Sequence, residues 1–328
     1  MADGSQPLRA ALWPFGVLYG AVAALRNWTF DAGLRAVHRL SAPVVSIGNL
    51  TVGGTGKTPT VAWLCALAKA RGRTPGVLAR GYGRAPGALL NDEGTMLQRR
   101  LPWLLQQQDP DRAAGGVRLV QAGADFVVLD DGMQHRRLHR DLDVVCLDAT
   151  LPFGNGMCLP AGDLREFRSG LRRAGVVLLT RASALVPTQL RARVDRIRAL
   201  AGAALPVHAC EHAPAALVAA HDGSEQPLSL LQGRRVVLLS AIARPQSFRA
   251  TVEGLGADVV AELRHRDHHR FTAAEVAAAV AAAQRHDALL LTTEKDDARL
   301  QPFAVERHVL RVELRFLDGT PPPSEFLL

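Results

Sequence analysis

Residues 43–47 form a short apolar, β-branched run. It feeds into Gly48-Asn49-Leu50-Thr51-Val52-Gly53-Gly54-Thr55-Gly56-Lys57-Thr58-Pro59, after which Val61, Leu64, Cys65 and Ala68 recur at helical spacing up to Gly72. The pattern reads as buried strand, glycine-rich loop and helix, with proline in the first turn and glycine at the stop. Few folds accommodate that order. Glycines let backbone N–H groups turn inward on phosphate oxygens, and the helix start adds partial positive charge. Gly53, Gly54, Thr55, Gly56, Lys57 and Thr58 are therefore the candidate nucleotide-phosphate residues. The Lys57 ammonium suits β/γ-phosphates and the Thr58 hydroxyl suits Mg²⁺. The strict spacing of such loops places glycine where Thr51 stands, so this loop is a variant.

The rest of the chain repeats the alternation. Further strands are expected at residues 76–79, 126–129, 143–148 and 175–180, each almost continuously apolar. Strands of that kind between helices imply an α/β fold, a P-loop NTPase-like parallel sheet with helices on both faces. The stretch after Asn91 reads as a helix through Leu104, and the pattern weakens between residues 205 and 220. A polar, turn-rich segment at 221–227 suggests a boundary. A second, smaller α/β set follows, with strands at 235–242, 258–263, 288–293 and 308–314 and an alanine-rich helix at 273–283. The expected organisation is a first domain at 1–206, a linker at 207–228 and a second domain at 229–328.

With 328 residues the chain is long enough for two cores, and its net charge of +8 favours anionic partners such as nucleotides, lipid headgroups or phosphorylated substrates. Aromatic residues make up 5% and form no basic-aromatic platform, so nucleic acid is not an expected partner. The four cysteines, Cys65, Cys146, Cys158 and Cys210, make no CxxC pair, which points to a reducing compartment and no zinc site. Residues 11–25 are apolar but broken by Pro14, Gly16 and Gly20, and are short for a bilayer span. Asp3 beside Arg9, and the lack of a disulfide pattern, speak against a signal peptide. Trp28, Phe30, Leu34 and Val37 then recur near helical spacing among Arg26, Arg35, His38 and Arg39. That mixture fits two environments, a membrane interface or the domain's own core.

Three further stretches carry candidate chemistry. The run at 126–129 ends in Asp130-Asp131-Gly132, so a buried strand presents carboxylates at its C-terminal tip, where open α/β sheets bind ligands and hold metal. Arg80, in the turn Arg80-Gly81-Tyr82-Gly83, could contact phosphate, but taken alone it reads as a solvated side chain. Arg264-His265-Arg266-Asp267-His268-His269 matches no standard zinc spacing, and its arginines repel a cation. It reads either as proton chemistry, with Asp267 orienting an imidazole, or as a solvated loop.

Taken in order, these motifs resemble those of the tetraacyldisaccharide 4′-kinase (lipid A 4′-kinase) family over nearly the whole chain. The matching residues are the Gly48-Asn49 to Pro59 loop, Arg80-Gly81-Tyr82-Gly83, Asp92-Glu93, Asp130-Asp131-Gly132-Met133-Gln134-His135, Phe153-Gly154-Asn155-Gly156, Leu159-Pro160-Ala161-Gly162, Arg165-Glu166, Ala243-Arg244-Pro245, Asp267-His268 and Thr293-Glu294-Lys295-Asp296. The resemblance implies ATP- and Mg²⁺-dependent phosphorylation of the 4′-hydroxyl of a tetraacyldisaccharide 1-phosphate, giving lipid IVA. It also implies two α/β/α domains with the active site in their cleft. The protein is expected to be a monomer, bound peripherally through its N-terminal helix to the cytoplasmic face of the inner membrane. Residue by residue, Asp92 matches the family's catalytic aspartate and His268 its partner histidine, the two expected on different domains. Thr58, Asp130, Asp131 and Glu166 match metal-site positions. Arg80, Arg112, Gln134 and Arg165 match other cleft positions. Asn91-Asp92-Glu93-Gly94 stands where the family usually has Gly-Asp-Glu-Pro. The rival class is a regulatory P-loop GTPase or metallochaperone, against which stands the absence of an Asn-Lys-x-Asp base-reading motif.

Overall fold

The computed structural model describes residues 11–85 and 87–327; Asp3 and Arg9, weighed above, lie outside them. In chain order the principal elements are α1 (Trp13–Asp31), β1 (Val44–Gly48), α2 (Lys57–Ala70), β2 (Pro75–Ala79), α3 (Asp92–Arg100), β3 (Leu105–Gln108), α4 (Arg112–Gln121), β4 (Phe126–Asp130), β5 (Leu142–Asp148), β6 (Val176–Thr180), α5 (Pro187–Ala201) and β7 (Val207–Ala219). They continue as β8 (Glu225–Gln226), β9 (Arg235–Ser240), α6 (Pro245–Gly254), β10 (Asp258–Arg264), α7 (Ala273–Arg285), β11 (Leu289–Thr293), α8 (Glu294–Leu300) and β12 (His308–Phe316).

The chain divides into two compact units, and not at the expected boundaries. The first comprises residues up to 81, 103–212 and from 314 on; the second comprises 82–102 and 213–313. The segment expected as a linker is instead largely the thirteen-residue strand β7. The excursion at 82–102 joins the second unit because α3 is tied there by ion pairs, Arg99 to Asp297 at 2.7 Å and Arg100 to Glu294 at 3.4 Å. The chain's end joins the first unit because Phe326 is fully buried, edge-on to Trp63 at 4.9 Å.

In the first unit the strands run parallel in the order β3-β2-β4-β1-β5-β6-β7. All five residues of β1, β4 and β6 are buried, which is why their sequences show no polar alternation. Strand β1 sits between β4 and β5, with β2 and β3 beyond β4 and with β6 and β7 beyond β5, so the order reverses around it. Ligands bind at such a point, outside the carboxyl ends of the strands. The phosphate-loop candidate, Asp130 and Asp148 all lie at those ends. The second unit has its own parallel set, β10-β9-β11-β12, with Val237, Leu239, Phe271, Val276 and Leu300 in one of its cores.

Helix α1 resolves the two environments left open for the N-terminal segment into two faces. Its inner face packs on the first unit: a Cβ at Gly20 would lie 2.4 Å from the Phe167 ring, so only glycine permits the approach. Buried Phe30 is ringed by the guanidinium groups of Arg26, Arg35 and Arg136 at 5.5–5.6 Å, which pins the helix end. The outer face leaves Phe15, Leu18, Val22, Leu25 and Trp28 each more than half exposed. Among the described residues no helix is long and apolar enough to cross a membrane.

Candidate active site

The loop between β1 and α2 is braced on every side by the first unit. Asn49, fully buried, donates to the Thr51 carbonyl at 2.7 Å and to the Thr55 hydroxyl at 3.0 Å. Thr180, at the tip of β6, donates to the Thr55 carbonyl at 3.0 Å, and Arg181 donates to the Gly54 carbonyl at 2.7 Å. Asp148, at the tip of β5, holds Arg181 at 3.0 Å. Gly56 has φ +84, and a Cβ there would fall 2.0 Å from the His212 ring. A side chain is thus excluded twice, by backbone strain and by the imidazole. Gly56 caps α2 without a side-chain hydrogen bond, so the first-turn N–H groups keep their affinity for an anion.

The imidazole against Gly56 is largely buried. Burial, then the charge of Arg181, hold His212 down at about 4. In the unfolded chain the same group takes up its proton near pH 6.5. As pH falls from about 6.5 towards 4 the unfolded state therefore gains protons first and stability drops; above pH 7 the effect is absent. The expected loss is about 3 kcal/mol for this group. His212→Gln should remove that component, so urea melts at pH 7 and pH 4.5 should differ by less in the variant than in the wild type. Equal losses in both proteins would assign the acid sensitivity elsewhere.

Lys57, Asp131 and Arg165 form the charged centre. The Lys57 ammonium lies 3.5 Å from Asp131, and Arg165 Nη1 donates to both Asp131 oxygens at 2.7 Å. Burial opposes the Asp131 carboxylate, but Lys57 and Arg165 outweigh it and hold the group below its usual range. Asp131 has φ +51, a left-handed conformation that aspartate tolerates better than most residues. Asp130, one residue earlier, is buried at the strand tip. Arg112, also buried, opens α4, and its Nε lacks a hydrogen-bond partner. Burial, then the neighbouring Arg80, lower its pKa, so an anion there would relieve two cations at once.

Glu166, expected as a metal-site acid, is almost wholly buried and already saturated. Its oxygens accept from Asn27 at 2.8 Å, from Gln134 at 2.9 Å and from Arg173 at 2.8 Å twice. That leaves no lone pair for a metal in this arrangement. Glu166 anchors Gln134, which also donates to the Asn49 carbonyl at 3.0 Å and so reaches the phosphate loop. Beside them lies a cavity of about 220 Å³ whose lining includes Tyr19, Val22, Arg26, Gln134 and Arg165. It joins apolar side chains of α1 to cationic groups near the loop.

Asp92 and His268 are brought together, but not as expected. Both belong to the second unit, and they meet through Arg299 rather than across two domains. Arg299 donates from Nε to Asp92 at 2.6 Å, while its Nη2 lies 3.2 Å from His268 Nδ1. Its Nη1 donates to the Ala241 carbonyl and to Asp296, both at 3.0 Å. Asp267 does not orient the imidazole: it is 3.9 Å from His268, and Lys295 lies between them, 3.4 Å from Asp267 and 3.2 Å from His268 Nε2. A neutral imidazole accepts at one nitrogen only, so Arg299 and Lys295 compete for it. His268 has φ +64, a left-handed backbone conformation. Arg299, Lys295, Arg173, Asn27 and His212 were not assigned roles by sequence reasoning. Only the Thr293-Glu294-Lys295-Asp296 motif hinted at one of them.

The family model described as tetraacyldisaccharide-1-P 4′-kinase matches residues 8–327. A tetraacyldisaccharide 4′-kinase of Anaeromyxobacter dehalogenans strain 2CP-C is 45% identical, covering 95% of this chain and 87% of its own. One from Syntrophus aciditrophicus is 36% identical, covering 94% and 90%. The crystal structure of Aquifex aeolicus LpxK in complex with ATP matches at a TM-score of 0.76, with 28% identity over 94% of this chain and 95% of that one.

Proposed function

We infer the reaction from one premise: the chain belongs to the tetraacyldisaccharide-1-P 4′-kinase family. It transfers the γ-phosphate of ATP to the 4′-hydroxyl of a tetraacyldisaccharide 1-phosphate, giving lipid IVA. The observation that carries this reading is the Lys57–Asp131–Arg165 centre at the start of α2, beneath a loop built for phosphates. Thr58, Asp130 and Asp131 offer hydroxyl and carboxylate oxygens, the hard donors that suit Mg²⁺, and we assign the metal to them. The ion, when bound, supplies charge neutralisation between the phosphates. Lys57 holds the phosphates as a point charge, and Arg112 and Arg80 add cations beside Asp131. Asp92, with one oxygen fixed by Arg299, is the group we assign to accept the proton of the sugar hydroxyl, and His268 its partner on the same arginine. Asp92 and His268 belong to the second compact unit and the phosphate loop to the first.

A regulatory GTPase is disfavoured by Asp296. A base-reading aspartate must reach a ligand, whereas Asp296 is fully buried and accepts from the Ala241 N–H, the Thr293 hydroxyl and Arg299.

The exposed apolar face of α1 together with the basic residues at its end supports a peripheral site on the anionic cytoplasmic face of the inner membrane, with the acyl chains of the substrate entering beside Tyr19 and Val22. The test uses one preparation. Labelled γ-phosphate should move from ATP to detergent-dispersed tetraacyldisaccharide 1-phosphate with Mg²⁺, and Asp92→Asn should slow transfer by about 10²–10⁴-fold. The protein should float with anionic liposomes, and Leu18→Glu/Leu25→Glu should sink. Absence of labelled lipid would refute the activity; flotation unchanged in the double variant would refute the role of α1.

A further inference from the structure

Strand β10 ends at Arg264, and the chain then turns sharply to start α7. The turn is fixed by backbone bonds, His265 N–H to the Ser240 carbonyl at 2.9 Å and His269 N–H to the Arg266 carbonyl at 3.0 Å. Thr272 caps α7, and Glu275 closes a capping box, accepting from Thr272 N–H at 2.8 Å and its hydroxyl at 3.0 Å through one carboxylate oxygen. Phe271, buried, sits edge-on to both His265 and His269 at 5.4 and 5.8 Å, and holds the two imidazoles stacked, 4.7 Å apart and 10° from parallel. Three potential ligands, one from the end of the strand, one from the turn and one from the helix, thereby converge.

We propose that His265, His269 and Glu275 form a binding site for a divalent transition-metal ion of the zinc class. Their ligand atoms all lie within 4.8 Å of one another. Around a tetrahedral zinc ion the ligand–ligand edge is about 3.3 Å. His265 Nδ1 is 3.4 Å from Glu275 Oε1, and His269 Nε2 is 3.1 Å from the same oxygen. Two of the three edges are therefore already near the required length. Glu275 Oε1 is the oxygen not used by Thr272 and is free for the metal, while His269 Nε2 also lies 3.0 Å from the capping oxygen Oε2. Two imidazoles and a carboxylate favour zinc, nickel or copper over magnesium or calcium. All three side chains are partly exposed, which leaves an entry path and a fourth position for water.

The sequence argued against a metal here because the spacing fits no standard signature and arginines flank it. The third ligand lies six residues beyond His269 and is revealed only by the fold. Of the arginines, Arg264 is neutralised by Glu262, to which it donates at 2.7 Å, and Arg266 and Arg270 are exposed, where solvent screens them. The turn between the two histidine ligands carries Asp267 and His268. An ion there ties the end of β10 to the start of α7 across that turn.

The test is calorimetric titration of the tag-free, full-length protein with ZnCl₂ in excess Mg²⁺, and with CoCl₂ followed by visible absorption. One ion should bind per chain, with the d–d bands of a low-coordinate cobalt site. Glu275→Gln keeps an acceptor for the cap and His265→Phe keeps a ring in the stack, so both should fold; each should weaken binding by about tenfold or more. His268→Ala, inside the turn but outside the trio, should bind as the wild type does. No uptake by the wild type, or uptake unchanged in both ligand variants, overturns the site.

Discussion

Lys57→Ala is expected to lower the turnover of the kinase reaction by about 10²–10³-fold or more, the cost of removing one preorganised cation from a site of developing charge. The loss should appear mainly in kcat. The loop's backbone N–H groups and the start of α2 still bind nucleotide, so affinity for ATP should fall less than turnover. Stability should change little, within about 1 kcal/mol, because Asp131 keeps its two contacts from Arg165. Lys57→Arg should not restore the rate. A guanidinium is a planar fork rather than a compact ammonium, and Arg165 already occupies both oxygens of Asp131. Steady-state kinetics with tetraacyldisaccharide 1-phosphate, beside nucleotide binding by calorimetry, separates the two effects. A variant running within tenfold of wild type would remove Lys57 from the chemistry and leave only a phosphate-binding loop.

The first sheet was legible because its central strands are buried on both faces. Residues 126–130 and 176–180 are apolar from end to end, and that signal needs no knowledge of neighbours. Two strands escaped for the opposite reason. β3 is Leu105-Gln106-Gln107-Gln108, an edge strand whose glutamines, Gln106 and Gln107 partly exposed, carry no apolar run, so the segment between the helix expected to end at Leu104 and the turn at Asp109 carries no strand signal. β7 interleaves His208, Glu211, His212 and Pro214 with small residues, so its long, half-buried course shows no apolar run and reads as a linker, which places the expected boundary there. The site divided in the same way. Residues acting through backbone geometry at a strand tip, such as Lys57, Asp130 and Asp131, lie in contiguous motifs. Residues acting through partners distant in sequence do not announce themselves: Arg173 reaches back to Glu166, and His212 reaches Gly56 from 156 positions away. Asp92 and His268 were recognised individually, but their shared arginine lies in neither motif.

That arginine sets the second large expectation. Arg299 contacts Asp92, His268, Asp296 and the Ala241 carbonyl with a single buried guanidinium. Arg299→Met should fail in two separable ways. Asp296 is fully buried, and losing its cation should cost about 3–5 kcal/mol in the second unit, the penalty for a buried charge left unpaired. Asp92 and His268 also lose the group that fixes their relative geometry, which should lower kcat by about 10²-fold or more. The double variant Arg299→Met/Asp296→Asn distinguishes these consequences. Removing both charges should recover most of the stability, because a buried pair replaced as a pair is often nearly neutral. It should not recover the rate, since Asp92 and His268 remain untethered. Groups that act as one unit are non-additive, so Arg299→Met added to Asp92→Asn should slow the enzyme little beyond Asp92→Asn alone. Thermal melts and single-turnover transfer on the four proteins give both readouts. If the double variant melts near wild type and also turns over near wild type, Arg299 serves the fold alone, and the proton-accepting assembly must be sought without it.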